Sequence, residues 1–135
     1  MRRAVRLVLA TLAMALVAGC GNAHAARTGT SSSATVGGSC GKSATAGHVP
    51  VTLEVTAGTV PCAQAMQVES AYNHELTAGM APGNGGGGPV RVNGWTCQGY
   101  PTPRVLQTGQ VSRCARNGSQ FDAVLASPTA APSSA

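Results

Sequence analysis

The 135-residue chain has a formal charge of +5 but only 10% charged and 3% aromatic residues, which leaves little material for a dense polar catalytic surface. Arg2, Arg3 and Arg6 account for three of its nine basic residues; beyond them Arg27, Lys42, Arg91, Arg104, Arg113 and Arg116 stand scattered against Glu54, Glu69, Glu75 and Asp122. No basic stripe with interleaved aromatics is present, so a nucleic-acid partner is not expected, and the length suits one small domain.

The chain opens with a basic n-region, Arg2 to Arg6, followed by Leu7 to Ala18, which is apolar throughout except for Thr11. A bilayer-spanning helix needs about 20 apolar residues, so this run has the length of a signal-peptide core. It ends in Val17-Ala18-Gly19-Cys20. Small residues directly before a cysteine at this place resemble the lipobox of bacterial lipoproteins. The resemblance implies that residues 1–19 are a signal peptide, that Cys20 carries diacylglycerol and becomes the N-terminus, and that the protein is lipid-anchored on the extracytoplasmic side of the cell membrane. Each buried methylene adds about 0.8 kcal/mol, so two or more chains anchor firmly. The Arg pair lacks the flanks of a twin-arginine signal, which favours the general secretory route.

Residues 20–39 are rich in Gly, Ala, Ser and Thr without hydrophobic periodicity and read as a flexible tether with a reach of roughly 20–25 Å. Residues 126–135 read as a low-complexity disordered tail, which leaves 40–125 for the domain.

Within that span, His48 to Thr56 alternates, with Val49, Val51, Leu53 and Val55 on one face; Pro50 implies an edge strand or a strand start, and Gly58 breaks the run. Pro61 to Thr77 reads as a helix with Cys62, Ala65, Val68 (or Glu69), Tyr72 and Leu76 at helical spacing and Gln64, Gln67 and Glu75 toward water. Ala78 to Pro89, with its glycine run, reads as a connector, because no strand feeds it and no Gly-Lys-Ser/Thr follows. Val90 and Val92 alternate in one phase and Trp95 and Cys97 in the other, with Asn93-Gly94 between them as a bulge would lie. Trp95 reads as core. Residues 98–108, with Pro101 and Pro103, read as an exposed loop. Gln110 to Leu125 reads as a hairpin turning at Asn117-Gly118 in type I′ geometry. That turn sets Cys114 opposite Phe121 on the core face and makes Arg113–Asp122 an exposed cross-strand pair.

Besides Cys20 the chain has Cys40, Cys62, Cys97 and Cys114, an even set in an exported domain, which implies two disulfides with three pairings open. No two of them make a C-x-x-C half-site and the histidines do not cluster with them, so no metal or other cofactor is expected. His74 and Glu75 are adjacent and point apart, Glu69 and Glu75 diverge, and no catalytic motif is present, so catalytic residues are not expected. Tyr100, Pro101, Pro103 and Arg104 are the candidate partner contacts.

The order Val60-Pro61-Cys62-Ala63-Gln64-Ala65, Gly94-Trp95-Thr96-Cys97 and Val111 to Phe121 resembles a small cysteine-containing domain of secreted proteins and lipoproteins of high-GC Gram-positive bacteria. The resemblance covers roughly 49–125 and implies an α+β unit, strand–helix–strand–strand–strand, with one helix on an antiparallel sheet; it implies no activity. Pro61 departs from the Ser or Thr that usually starts such helices. The functional expectation is an interaction module of the cell envelope that binds an envelope protein or glycan. An inhibitor of secreted peptidases, suggested by the 98–108 loop, is the alternative, and a small enzyme comes third.

Overall fold

A computed structural model describes residues 32–83 and 87–126. Cys20, the signal segment, most of the tether and nearly all of the C-terminal tail lie outside the described residues. The fold is α+β, with two disulfides and a helix packed on antiparallel sheet. Its elements in chain order are β1 (Ser33–Thr35), β2 (Ser39–Ala44), β3 (Pro50–Ala57), β4 (Thr59–Pro61), α1 (Cys62–Thr77), β5 (Val90–Val92), β6 (Trp95–Gly99), α2 (Thr102–Thr108), β7 (Gln110–Arg116) and β8 (Ser119–Leu125). Six strands form one sheet in the order β2-β3-β8-β7-β6-β5, and β1 pairs separately with β4.

The alternation in β3 buries Val51, Leu53 and Val55. Pro50 is the first residue of that strand, where a missing N–H is tolerated even though β3 is central in the sheet. Gly58 (φ 65°) turns the chain into β4; a side chain there would press within 2.9 Å of the Gly118 carbonyl.

Helix α1 follows at once. Pro61 is its N-cap without a side-chain bond, and the exposed helix donor is met by backbone instead, Cys62 N–H donating to Ser32 O at 2.9 Å. It ends in a Schellman motif: Gly79 takes positive φ, its N–H donates to Leu76 O, and Met80 N–H donates to Glu75 O. Ala65, Val68, Glu69 and Tyr72 are its buried residues. Ala65, Val68 and Tyr72 share one core cluster with Leu53, Val55, Trp95 and Phe121 of the sheet, where the Trp95 and Phe121 rings sit 5.4 Å apart in a tilted pair.

The hairpin β7–β8 has the expected register, Cys114 opposite Phe121 and Arg113 opposite Asp122, around Asn117 and Gly118 at positive φ. The disulfides are Cys40–Cys62, which joins β2 to the first residue of α1, and Cys97–Cys114, which joins facing residues of β6 and β7.

Four expectations are corrected. Order begins before Cys40, because β1 closes on β4 from within the span read as tether; its Ser-Ala-Thr is too short to show a periodicity, and backbone pairing together with Ala34 packing on the core holds it. Asn93-Gly94 is a second two-residue turn rather than a bulge: both residues have positive φ and Val92 pairs with Trp95. The change of phase arises because directly opposed residues in a hairpin share a face. Residues 102–108 are helical, started by Pro101 and Pro103 and closed by Gly109 at φ 73°. Finally, Arg113–Asp122 is not an exposed pair. Asp122 is 0% exposed and takes two bonds from Arg113, at 3.0 and 3.3 Å, and one from Gln110 at 3.0 Å.

With a span of 17 residues, the Cys97–Cys114 bridge restricts the unfolded chain by about 3 kcal/mol. Replacing both cysteines by Ala should therefore lower the free energy of urea unfolding by about 2–4 kcal/mol; a loss under about 1 kcal/mol would mean that pairing and packing hold these strands without the bridge.

Candidate functional site

A cavity of about 170 Å³ opens between α1 and the sheet. Helix α1 lends it Glu69, Tyr72, Asn73 and Leu76, positions that helical spacing brings to one side. The junction after β6 lends Gly99 and Tyr100, the start of β7 Val111 and Ser112, and the loops Thr45 and Gly87. Leu76, Val111 and the glycines make much of the wall apolar, and Thr45, Glu69, Asn73, Ser112 and the two tyrosine hydroxyls supply its polar groups.

Glu69 is 1% exposed, and its Oε2 has no hydrogen-bond partner. Burial pushes its carboxyl from 4.5 up to about 7, while hydrogen bonding from Asn73 pulls the other way. Asn73 is itself positioned by donating from Nδ2 to Ala44 O at 2.8 Å, which ties α1 to the end of β2. The Tyr72 hydroxyl is likewise buried and unpartnered, and desolvation, with Glu69 adding, raises it to about 12. A β-carbon on Gly99 would lie 3.3 Å from that hydroxyl, so the glycine lets strand and phenol approach closely. Buried polar atoms are normally satisfied, and unpaired ones mark places where water, an ion or a ligand belongs.

Tyr100 joins this cavity to the opposite face of the sheet. Its ring lies 4.1 Å from the Arg104 guanidinium and 5.6 Å from that of Arg113, a cation–π arrangement. Burial first and Asp122 second raise its phenol, while the two arginines act in the opposite sense. Arg104 also donates to Gln110, which donates to Asp122. Of the candidate partner contacts, Tyr100 and Arg104 are thus brought together, with Tyr100 half-buried; Pro101 and Pro103 are exposed at the start of α2. Leu106 on that helix is 80% exposed.

Cys40, Cys62, Cys97 and Cys114 are all bridged, so Cys62 at the helix N-terminus is not a free thiol. Trp95 is fully buried, under the Arg116 guanidinium at 4.8 Å. His74 is exposed and its neighbour Glu75 half-exposed. Among the described residues no group of three His, Cys, Asp or Glu side chains could hold a metal, and no helix is long and apolar enough to cross a membrane.

Glu69 and Tyr72 are the site residues that sequence reasoning missed as a pair. The signal was a carboxylate within the apolar stripe of the helix, beside Val68 and three residues before Tyr72.

Searches against protein-family models, curated proteins and solved structures found no match to the chain.

Because native Glu69 holds its proton up to about 7 and the unfolded chain loses it near 4.5, its contribution to stability is full below about 4.5 and lost by about 7. At 1.36 kcal/mol per pH unit this loss is roughly 3 kcal/mol. Urea unfolding between pH 4.5 and 7.5 should show that decline in the wild type and a much flatter profile in Glu69→Gln; equal slopes would place the carboxyl in water.

Proposed function

We propose that the protein is a lipid-anchored extracytoplasmic lipoprotein whose small bridged domain serves as a binding module of the cell envelope. Cysteine accounting carries this reading. The chain has five cysteines, four are joined in two bridges, and the fifth is Cys20, directly behind the apolar run and its small residues. Bridges of this kind persist in an oxidising compartment, in keeping with export. The partly apolar cavity, with its buried unpaired Glu69 and Tyr72 groups, supports binding rather than a purely structural role. Peptidase inhibition loses its motive, because the segment that suggested an exposed loop contains helix α2 and its Arg104 and Tyr100 are engaged with each other.

Metabolic labelling with palmitate, followed by membrane fractionation, tests the anchor in a high-GC Gram-positive host. The wild-type chain should be labelled and sediment with membranes, whereas Cys20→Ser should be unlabelled and unprocessed. Labelling that survives the substitution, or normal processing without it, would remove the lipoprotein reading.

A further inference from the structure

Glu69 has no cationic partner in its cavity. The groups facing it are Tyr72 and Asn73 from its own helix, Tyr100 after β6, Ser112 from β7 and Thr45 after β2, none of which is a cation. The arginines nearest to Tyr100 are committed elsewhere, Arg113 to Asp122 and Arg104 to Gln110 and the Tyr100 ring. A negative centre shielded from water and lacking a protein counter-charge attracts a cation that can also donate hydrogen bonds. The unpartnered atoms among the lining residues are Glu69 Oε2, which accepts, and the Tyr72 and Tyr100 hydroxyls, which can accept through their lone pairs. An ammonium group has three donors, enough to serve all of these acceptors. Leu76 and Val111 offer an apolar wall to the carbon chain behind it. The cavity's roughly 170 Å³ is below the range of drug-sized pockets, about 300–1,000 Å³, so the ligand is small.

We propose that the cavity between α1 and the sheet binds a small primary alkylammonium ion, its nitrogen held by Glu69 Oε2 and the Tyr72 hydroxyl and its carbon chain against Leu76 and Val111. This deepens the binding reading above and rests on it only for the idea that the domain binds. The Glu69 carboxyl ionises on binding and releases a proton wherever it was protonated beforehand, so affinity rises with pH across the neutral range. The ligand remains charged throughout that range.

The test is a titration of the purified full chain with n-butylammonium chloride at pH 8, followed by amide NMR shifts at Glu69–Asn73, Gly99–Tyr100 and Val111–Ser112. Saturable shifts confined to those residues are expected, at least tenfold weaker with n-butanol and at least tenfold weaker at pH 5. Glu69→Gln should weaken binding at least tenfold, and Tyr72→Phe, which keeps the ring, about threefold or more. A dispersed spectrum from each variant establishes that it is folded, and Tyr72→Phe decides the matter if Glu69→Gln is not. Equal affinity for butanol and butylammonium, undiminished binding in a folded variant, or no saturable shift would each overturn the proposal. Amine binding does not depend on acylation, so its failure would leave the lipid anchor standing or falling on palmitate labelling alone.

Discussion

Helix α1 lies on the six-stranded sheet through Ala65, Val68, Glu69 and Tyr72, and one of those four buried residues is a carboxylic acid. That contact sets the character of the cavity beside it. The helix has no side-chain N-cap and a narrow apolar stripe, so its position depends on tertiary ties. The Cys40–Cys62 bridge fixes its first residue to β2, and the Asn73 bond to Ala44 fixes its fourth turn to the end of the same strand. These two ties hold the helix with Glu69 turned toward the sheet, where its side chain is 1% exposed.

The opposite face of the sheet solves its own polar problem differently. Asp122 is as deeply buried as any core residue, yet Arg113 and Gln110 satisfy it, and Tyr100 and α2 shield the arrangement. Breaking one member of such a pair leaves an uncompensated charge, which makes this cluster structural. The contrast is informative: one buried acid is fully partnered, while the other has an oxygen without a partner at the wall of a cavity.

The parts of the fold governed by local rules were legible in the sequence. Two-residue periodicity marked β3, helical spacing marked α1, and Asn117-Gly118 set the register that opposes Cys114 to Phe121. Features set by long-range geometry were not. Strand β1 consists of Ser-Ala-Thr and exists because β4 offers it a partner. The disulfide pairing needed the sheet order, since β6 and β7 become neighbours only after the chain returns from α2. Asp122 looked exposed because alternation assumes a wet outer face, whereas residues after β6 fold over it. Glu69 was visible as an alternative member of the helical stripe, but only the depth of the helix contact shows that its carboxyl is trapped and unpaired.

The central physical claim is that the domain holds a desolvated, uncompensated carboxyl under α1, and its ionisation can be observed directly. In protein with ¹³C-labelled glutamate, the side-chain carboxyl resonances of Glu54, Glu69 and Glu75 can be followed from pH 3 to 9. The Glu69 resonance is expected to titrate with a midpoint about 7. A midpoint in the ordinary range near 4.5 would contradict it, showing that the carboxyl reaches water and that the cavity has no buried acid to offer a ligand.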